Sequence, residues 1–139
     1  MKEDEQVRLP DGRAIGYAEY GDPQGSPVFF FHGWPSSRYQ GKLMHDFAAE
    51  RGLRLIAPDR PGIGLSDPLP GRGFAAWPRD VAGLADVLGY ERFRICGVSG
   101  GGPYTLQAAI AACHARAASA QETDWTEIAG LYDALARLR

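Results

Sequence analysis

Gly97-Val98-Ser99-Gly100-Gly101 sets a serine among glycines in the spacing G-x-S-x-G. Such a turn holds the serine on a sharp corner between a strand and a helix, with its Oγ exposed and the next backbone N–H turned toward a developing oxyanion. The flanks have the order that corner needs. Arg92 to Cys96 is a short run with an apolar, β-favouring centre, and it ends at Gly97. Pro103 falls where a first helical turn tolerates proline, and Tyr104 to Ala112 has helix-forming composition. The chemistry on offer is attack by the Ser99 hydroxyl on an electrophilic carbon, with no cofactor and no metal ion required.

Serine attacks well only when a neighbouring base removes its proton, so the three histidines are the first candidates. His32 follows a run of aromatic residues and reads as a brace for the loop it opens. His45 sits on an expected helix and reads as a half-exposed surface residue. His114, on a helix starting at the corner, lies about 15 Å or more from that start at the usual rise per residue. Among the acids, Asp59 and Asp67 read as turn-holding residues, and Asp80, Asp86 and Glu91 as solvated helix faces or ends.

The elements that must position Ser99 can be read from punctuation and periodicity. Val7 to Leu9 and Ile15 to Tyr20 flank Pro10-Asp11-Gly12, which predicts an opening β-hairpin. After a breaker-rich loop, Val28-Phe29-Phe30-Phe31 has no polar alternation, as expected of a parallel strand covered on both faces. Gln40 to Arg51 places Leu43, Phe47 and Ala48 near helical spacing, with Gly52 to stop the helix, and a second parallel strand follows over Leu53 to Ala57. Pro58 to Pro68 is too rich in proline and glycine for regular structure and reads as a long surface loop. Trp77 to Leu88 then puts Trp77, Val81, Leu84, Ala85 and Leu88 on one helical face. A hairpin followed by alternating strands and helices predicts an α/β fold with right-handed parallel connections.

Composition narrows the function classes. The 139 residues are 45% hydrophobic, enough for one domain's core, and the net charge of −2 comes from interspersed acids and bases. That balance argues against nucleic acid or a membrane surface as partner. No apolar run approaches the roughly 18 residues needed to cross a bilayer. The charged Met1 to Gln6 is unlike an export signal, and Cys96 and Cys113 read as free thiols, so a cytoplasmic location is expected.

Three motifs in order, His32-Gly33-Trp34-Pro35, Asp59-Arg60-Pro61-Gly62-x-Gly64-x-Ser66-Asp67 and Gly97-x-Ser99-x-Gly101, resemble the α/β-hydrolase family over residues 6–105. The resemblance implies a truncated α/β-hydrolase sheet, made of an N-terminal hairpin and parallel strands with flanking helices. It implies Ser99 as nucleophile, the backbone N–H groups of Trp34 and Gly100 as an oxyanion hole, and His32, Gly33, Gly97 and Gly101 as supporting residues. Relatives that open epoxides or displace halides carry aspartate at the nucleophile position, so serine implies hydrolysis of an ester, thioester or small amide, with a small acyl compound as substrate. The family's acid and histidine follow the nucleophile in the chain. Only forty residues follow Ser99 here, so this chain alone is expected to be nearly inactive.

The remaining residues, 106–139, are expected to form a separate helical tail. Leu106 to Arg116 and Thr123-Asp124-Trp125-x-Glu127-Ile128-x-x-Leu131-Tyr132-Asp133-Ala134-Leu135 resemble the helical carboxyl-terminal extension of a subgroup of bacterial extracytoplasmic-function sigma factors. Read from its residues, the tail has a helix cap at Asp124 with its reciprocal acid at Glu127, and an apolar stripe of Trp125, Ile128, Leu131, Tyr132, Leu135 and Leu138. The elbow strand is internal in the family's sheet. Phe93 to Val98 is therefore expected to show an unpaired edge, covered by the tail helix or by self-association.

Overall fold

The computed structural model describes residues 1–71, 73–116 and 124–137. Strands β1 (Lys2–Arg8) and β2 (Ala14–Gly21) form an antiparallel hairpin around the expected turn, closed by Gly12 N–H donating to Leu9 O at 2.9 Å. The first strand begins at Lys2, earlier than the apolar residues suggest. It is an outer strand whose exposure alternates with every residue, so charged side chains occupy its solvent face and discourage further pairing.

Strand β3 (Ser26–Phe31) pairs in parallel with β4 (Leu53–Pro58), which pairs antiparallel with β2. Strand β5 (Arg94–Gly97) joins the other side of β3 in parallel, giving the order β1-β2-β4-β3-β5. Alternation explains the unbroken aromatic run. Phe29 and Phe31 enter one core with Ile15, Tyr17, Ile56, Trp77 and Leu84, while Val28 and Phe30 enter the opposite core with Tyr20, Ala48 and Leu55. The fold is thus the truncated α/β-hydrolase sheet expected from the motifs, with helices on both faces.

Helix α2 (Trp77–Leu88) covers the first core with the apolar face anticipated for it, and Gly89 ends it in the left-handed conformation at φ 76°. Asp80 departs from expectation. It is buried in the first turn of α2, with both carboxylate oxygens bonded to the Arg13 guanidinium, because the hairpin turn folds against the helix start.

The expected helix over residues 40–51 is a 3-10 segment, Arg38–Met44, followed by a short α1 (His45–Glu50). Its two anchors account for the tight winding. Arg38 is tied to Asp59 at one end, and His45 Nδ1 accepts the Gly21 N–H at 2.9 Å at the other. His45 is therefore a structural residue that holds the end of β2. Between the anchors Gly41 lies on Tyr20, where an added Cβ would fall 2.8 Å from the ring. Ala48 is buried, but Leu43 is 83% exposed and Phe47 also faces solvent, so the apolar spacing here did not make a covered face.

Helix α3 (Gly102–Arg116) leaves the elbow, and α4 (Trp125–Ala136) packs back on it through Ile128 and Leu131 against Ile110 and Cys113. The Asp124 cap is formed, its carboxylate accepting the Glu127 N–H at 2.9 Å. Trp125 and Tyr132 are exposed, Trp125 lying edge-on to His114, so the stripe is narrower than its sequence. Leu138 and the side chain of Leu135 lie outside the described residues. Helix α4 rests on α3, and among the described residues the outer edge of β5 stays unpaired. No described helix is long and apolar enough to cross a membrane.

Candidate functional site

Ser99 sits at the corner between β5 and α3, in a single 3-10 turn over Ser99–Gly101. Among the described residues it is the only one other than glycine with positive φ, at 50°. That conformation costs an L-residue about 1–2 kcal/mol and persists only where the surroundings enforce it. The surroundings are glycines. A Cβ on Gly97 would meet Thr105 Oγ1 at 2.2 Å and Gly101 O at 2.7 Å, and one on Gly101 would meet Phe31 O at 2.2 Å. Gly97 therefore lets α3 start close against β5, and Gly101 lets the corner lie against the end of β3. Ser99 itself is exposed.

The loop after β3 comes to the same place. The position of a Cβ on Gly33 is 3.3 Å from Ser99 Cβ and 3.2 Å from Val98 O, and that of a Cβ on Gly100 is 3.2 Å from Trp34 N. The structure thus gathers Gly33, Trp34, Ser99 and Gly100 into one small space, with the Trp34 side chain 74% exposed at its mouth. Trp34 N–H has no protein acceptor among the described residues.

Side chains that motif reading did not assign to the site hold this loop. Gln40 Oε1 accepts the Gly33 N–H at 2.6 Å. Arg60 donates from Nη1 to His32 O and from Nη2 to Gly33 O, the latter at 2.9 Å, and its guanidinium lies over the Tyr104 ring on α3. Nothing in the sequence signals that Arg60 turns back onto the preceding loop. Arg60 is itself presented by a loop pinned at Asp59, whose carboxylate accepts from the Arg38 backbone, the Arg38 guanidinium and the Leu65 N–H. Ser66 and Asp67 anchor the same loop to Gly16 and Ala14 of β2, the turn-holding role expected of Asp59 and Asp67.

None of the three histidines is bonded to Ser99. His32 is fully buried, and its Nδ1 must be the donor to Gly33 O at 2.9 Å because a carbonyl can only accept. Burial pushes its imidazole below the ordinary histidine range, and the nearby Arg60 charge acts in the same direction. His32 is thus a neutral brace with an unpartnered Nε2. His45 is held at Gly21 and His114 lies against Trp125. Burial also pushes the Cys96 thiol up, away from a reactive thiolate. Among the described residues no group of three or more His, Cys, Asp or Glu could hold a metal ion.

Similarity to known proteins points the same way as this geometry. A family model described as alpha/beta hydrolase fold matches residues 26–121. The chain is 40% identical over 83 residues, 59% of its own length and 30% of the relative's, to a non-heme chloroperoxidase of Streptomyces lividans. It is 33% identical over 97 residues, 69% of its length and 35% of the relative's, to a bifunctional esterase/perhydrolase of Acinetobacter calcoaceticus. Among solved structures, the epoxide hydrolase CorEH superposes with a TM-score of 0.66 at 31% identity, covering 78% of this chain and 37% of that one. The chain spans about a third of the length of these relatives.

Proposed function

The chain belongs to the alpha/beta hydrolase fold family, and from that premise we propose that it carries the nucleophile and the anion-binding half of a serine acyl-hydrolase site. Ser99 attacks the carbonyl carbon of an ester, thioester or small amide, and the N–H groups of Trp34 and Gly100 receive the oxygen that becomes negative. The observation that carries this reading is the meeting of two backbone segments: Ser99, at positive φ, lies beside Gly33, and its neighbour Gly100 lies beside a Trp34 amide that has no acceptor among the described residues. One such donor typically contributes about 2.7–4 kcal/mol to the transition state.

The proton acceptor is the part the described residues do not supply. With His32 sealed behind its own loop, His45 of α1 held at Gly21 and His114 of α3 lying against Trp125, Ser99 has strain and an anion cradle but no base among the described residues. A site lacking one triad member typically retains about 10³–10⁴-fold catalysis over water. Turnover of a p-nitrophenyl ester should therefore be slow, while a fluorophosphonate probe should still modify Ser99, as located by mass spectrometry of the tryptic peptide. Labelling that persists in Ser99→Ala, or ester turnover within seconds that survives it, would overturn the reading.

A second reading concerns the tail. The exposed Trp125 and Tyr132 on α4, together with the open edge of β5, support an interaction module or self-association in which the elbow takes no part. Sedimentation velocity on the full chain separates the two: a dimer lost in Trp125→Ala while Ser99 labelling is unchanged favours the module.

A further inference from the structure

We infer that Arg60 is a positioning residue for the anion-binding amide of Trp34, holding and polarising the Gly33–Trp34 peptide from its carbonyl end. The inference rests on the reading of Ser99 and Trp34 given above, and it names what aims that amide.

The argument begins with peptide geometry. The only cis bond among the described residues joins Trp34 to Pro35, so the bond from Gly33 to Trp34 is trans. In a planar trans peptide the carbonyl and the following N–H point in opposite directions. Whatever fixes Gly33 O therefore fixes the direction of Trp34 N–H. Two donors fix it, Arg60 Nη2 and His32 Nδ1, each at 2.9 Å. They hold the carbonyl away from the side where Trp34 N meets Gly100.

The neighbouring peptide is held in the same way. Arg60 Nη1 takes His32 O, so the planar guanidinium spans two consecutive carbonyls, and Gln40 takes the intervening Gly33 N–H at 2.6 Å. A rigid fork suits this task and a lysine ammonium does not, because two adjacent acceptors in one plane need two donors with a fixed spread. The Tyr104 ring beneath the guanidinium sets its plane and links it to α3, the helix that begins at the elbow. Arg60 thus ties the loop after β3 to the element carrying Ser99.

Charge adds to orientation. A charge-assisted hydrogen bond to a carbonyl draws electron density along the amide and makes its N–H a stronger donor, an effect that grows where water is excluded. Arg60 is 3% exposed, so solvent screens it little. In this arrangement the guanidinium serves a developing oxyanion through one peptide without touching it.

The test uses the full chain, uniformly labelled with ¹³C and ¹⁵N. In the wild type, scalar couplings across hydrogen bonds should connect the Arg60 guanidinium nitrogens to the carbonyl carbons of His32 and Gly33; their absence overturns the inference without any variant. Arg60→Gln and Arg60→Lys should each shift the Trp34 amide resonance more than that of Gly100. Phosphonylation of Ser99 should slow about tenfold in Arg60→Gln, less than loss of a whole donor would cause. Arg60→Lys should recover part of that rate. The loss should lie in the maximal modification rate and leave the probe concentration for half-saturation unchanged, whereas general loosening of the fold would move both. Wild-type labelling rates and an unmoved Trp34 amide in the variants would overturn the inference and leave the reading of Ser99 standing. Couplings and amide shifts as expected in a chain whose Ser99 never labels would have the opposite meaning.

Discussion

The loop around Trp34 and helix α4 are each attached to the sheet's framework by a handful of side chains, but the attachments differ in kind. The loop is held by buried polar groups that constrain direction: Arg60 on two carbonyls, Gln40 on an amide, His32 on its neighbour, and the Arg38–Asp59 pair behind them. Helix α4 has its cap at Asp124 and rests on α3 mainly through apolar and ring contacts, Ile128 and Leu131 on Ile110 and Cys113 and Trp125 edge-on to His114. Apolar contact tolerates sliding and rotation, and hydrogen bonds between rigid groups do not. A segment that must present one N–H at one angle needs the second kind of attachment. A helix that has only to be covered is served by the first.

The largest effect should come from the pair behind the loop. Asp59 and Arg38 are both buried, and Asp59 also accepts two backbone N–H groups. Asp59→Ala leaves the Arg38 guanidinium only the more exposed Asp4 carboxylate and strands the Arg38 and Leu65 backbone N–H groups, and it should cost about 3–5 kcal/mol in urea unfolding, with Ser99 labelling lost in parallel. Next comes the elbow. Gly101→Ala drives a Cβ to 2.2 Å from Phe31 O, a contact with main chain that cannot swing away, and should cost about 3 kcal/mol, the upper end of the usual overpacking range. If either variant melts normally and labels normally, the claim that the loop and elbow are held by directional constraint is wrong.

These residues also mark where sequence reading succeeds and where it stops. Helix α2 was legible because Trp77, Val81, Leu84 and Ala85 meet a complete partner face, so spacing and burial agree. Leu43 and Phe47 show similar spacing without burial, since periodicity records which residues are apolar and not whether anything covers them. The hairpin's first arm was legible at Val7, but its start at Lys2 was hidden by charges that suit an outer strand and resemble a solvated terminus. Gly97, Ser99 and Gly101 were legible because a tight corner needs small residues at fixed offsets. Asp80, Gln40 and Arg60 were not, because each bonds to a residue whose distance in sequence carries no periodic signal. Asp80 and its partner Arg13 are 67 residues apart, and Arg60 reaches back 28 residues to His32.

The tail supplies the contrast at intermediate size. Among the described side chains of α4, Ile128 is the buried one, at 4% exposure, and Ile128→Ala should cost about 2 kcal/mol, the low end for an aliphatic truncation, because the cluster around it is small. The loss should be local. Hydrogen exchange should quicken across α4 while the amides of Trp34 and Gly100 keep their protection and Ser99 its labelling rate. A fall in labelling in this variant would break the comparison, since it would mean that the tail supports the elbow through α3.

The smallest effect is a matter of pH, and its sign separates the two attachments again. His32 is buried, donates from Nδ1 and has its protonation pushed below the ordinary histidine value of 6.5, first by burial and then opposed in part by its bond to Gly33. The unfolded chain therefore takes up a proton at a pH where the folded chain does not, so stability is complete above about pH 6.5 and declines as pH falls through that value. One proton limits the slope to about 1.4 kcal/mol per pH unit. In His32→Asn, with an amide placed to donate to the same carbonyl, this decline should disappear from urea titrations between pH 7 and pH 5. Ser99 labelling in the folded chain should not share that decline, because the folded chain keeps this imidazole neutral where the unfolded chain takes up its proton. Exchange within α4 should show no such dependence, and a decline of equal slope there would mean that the loop and the tail open together.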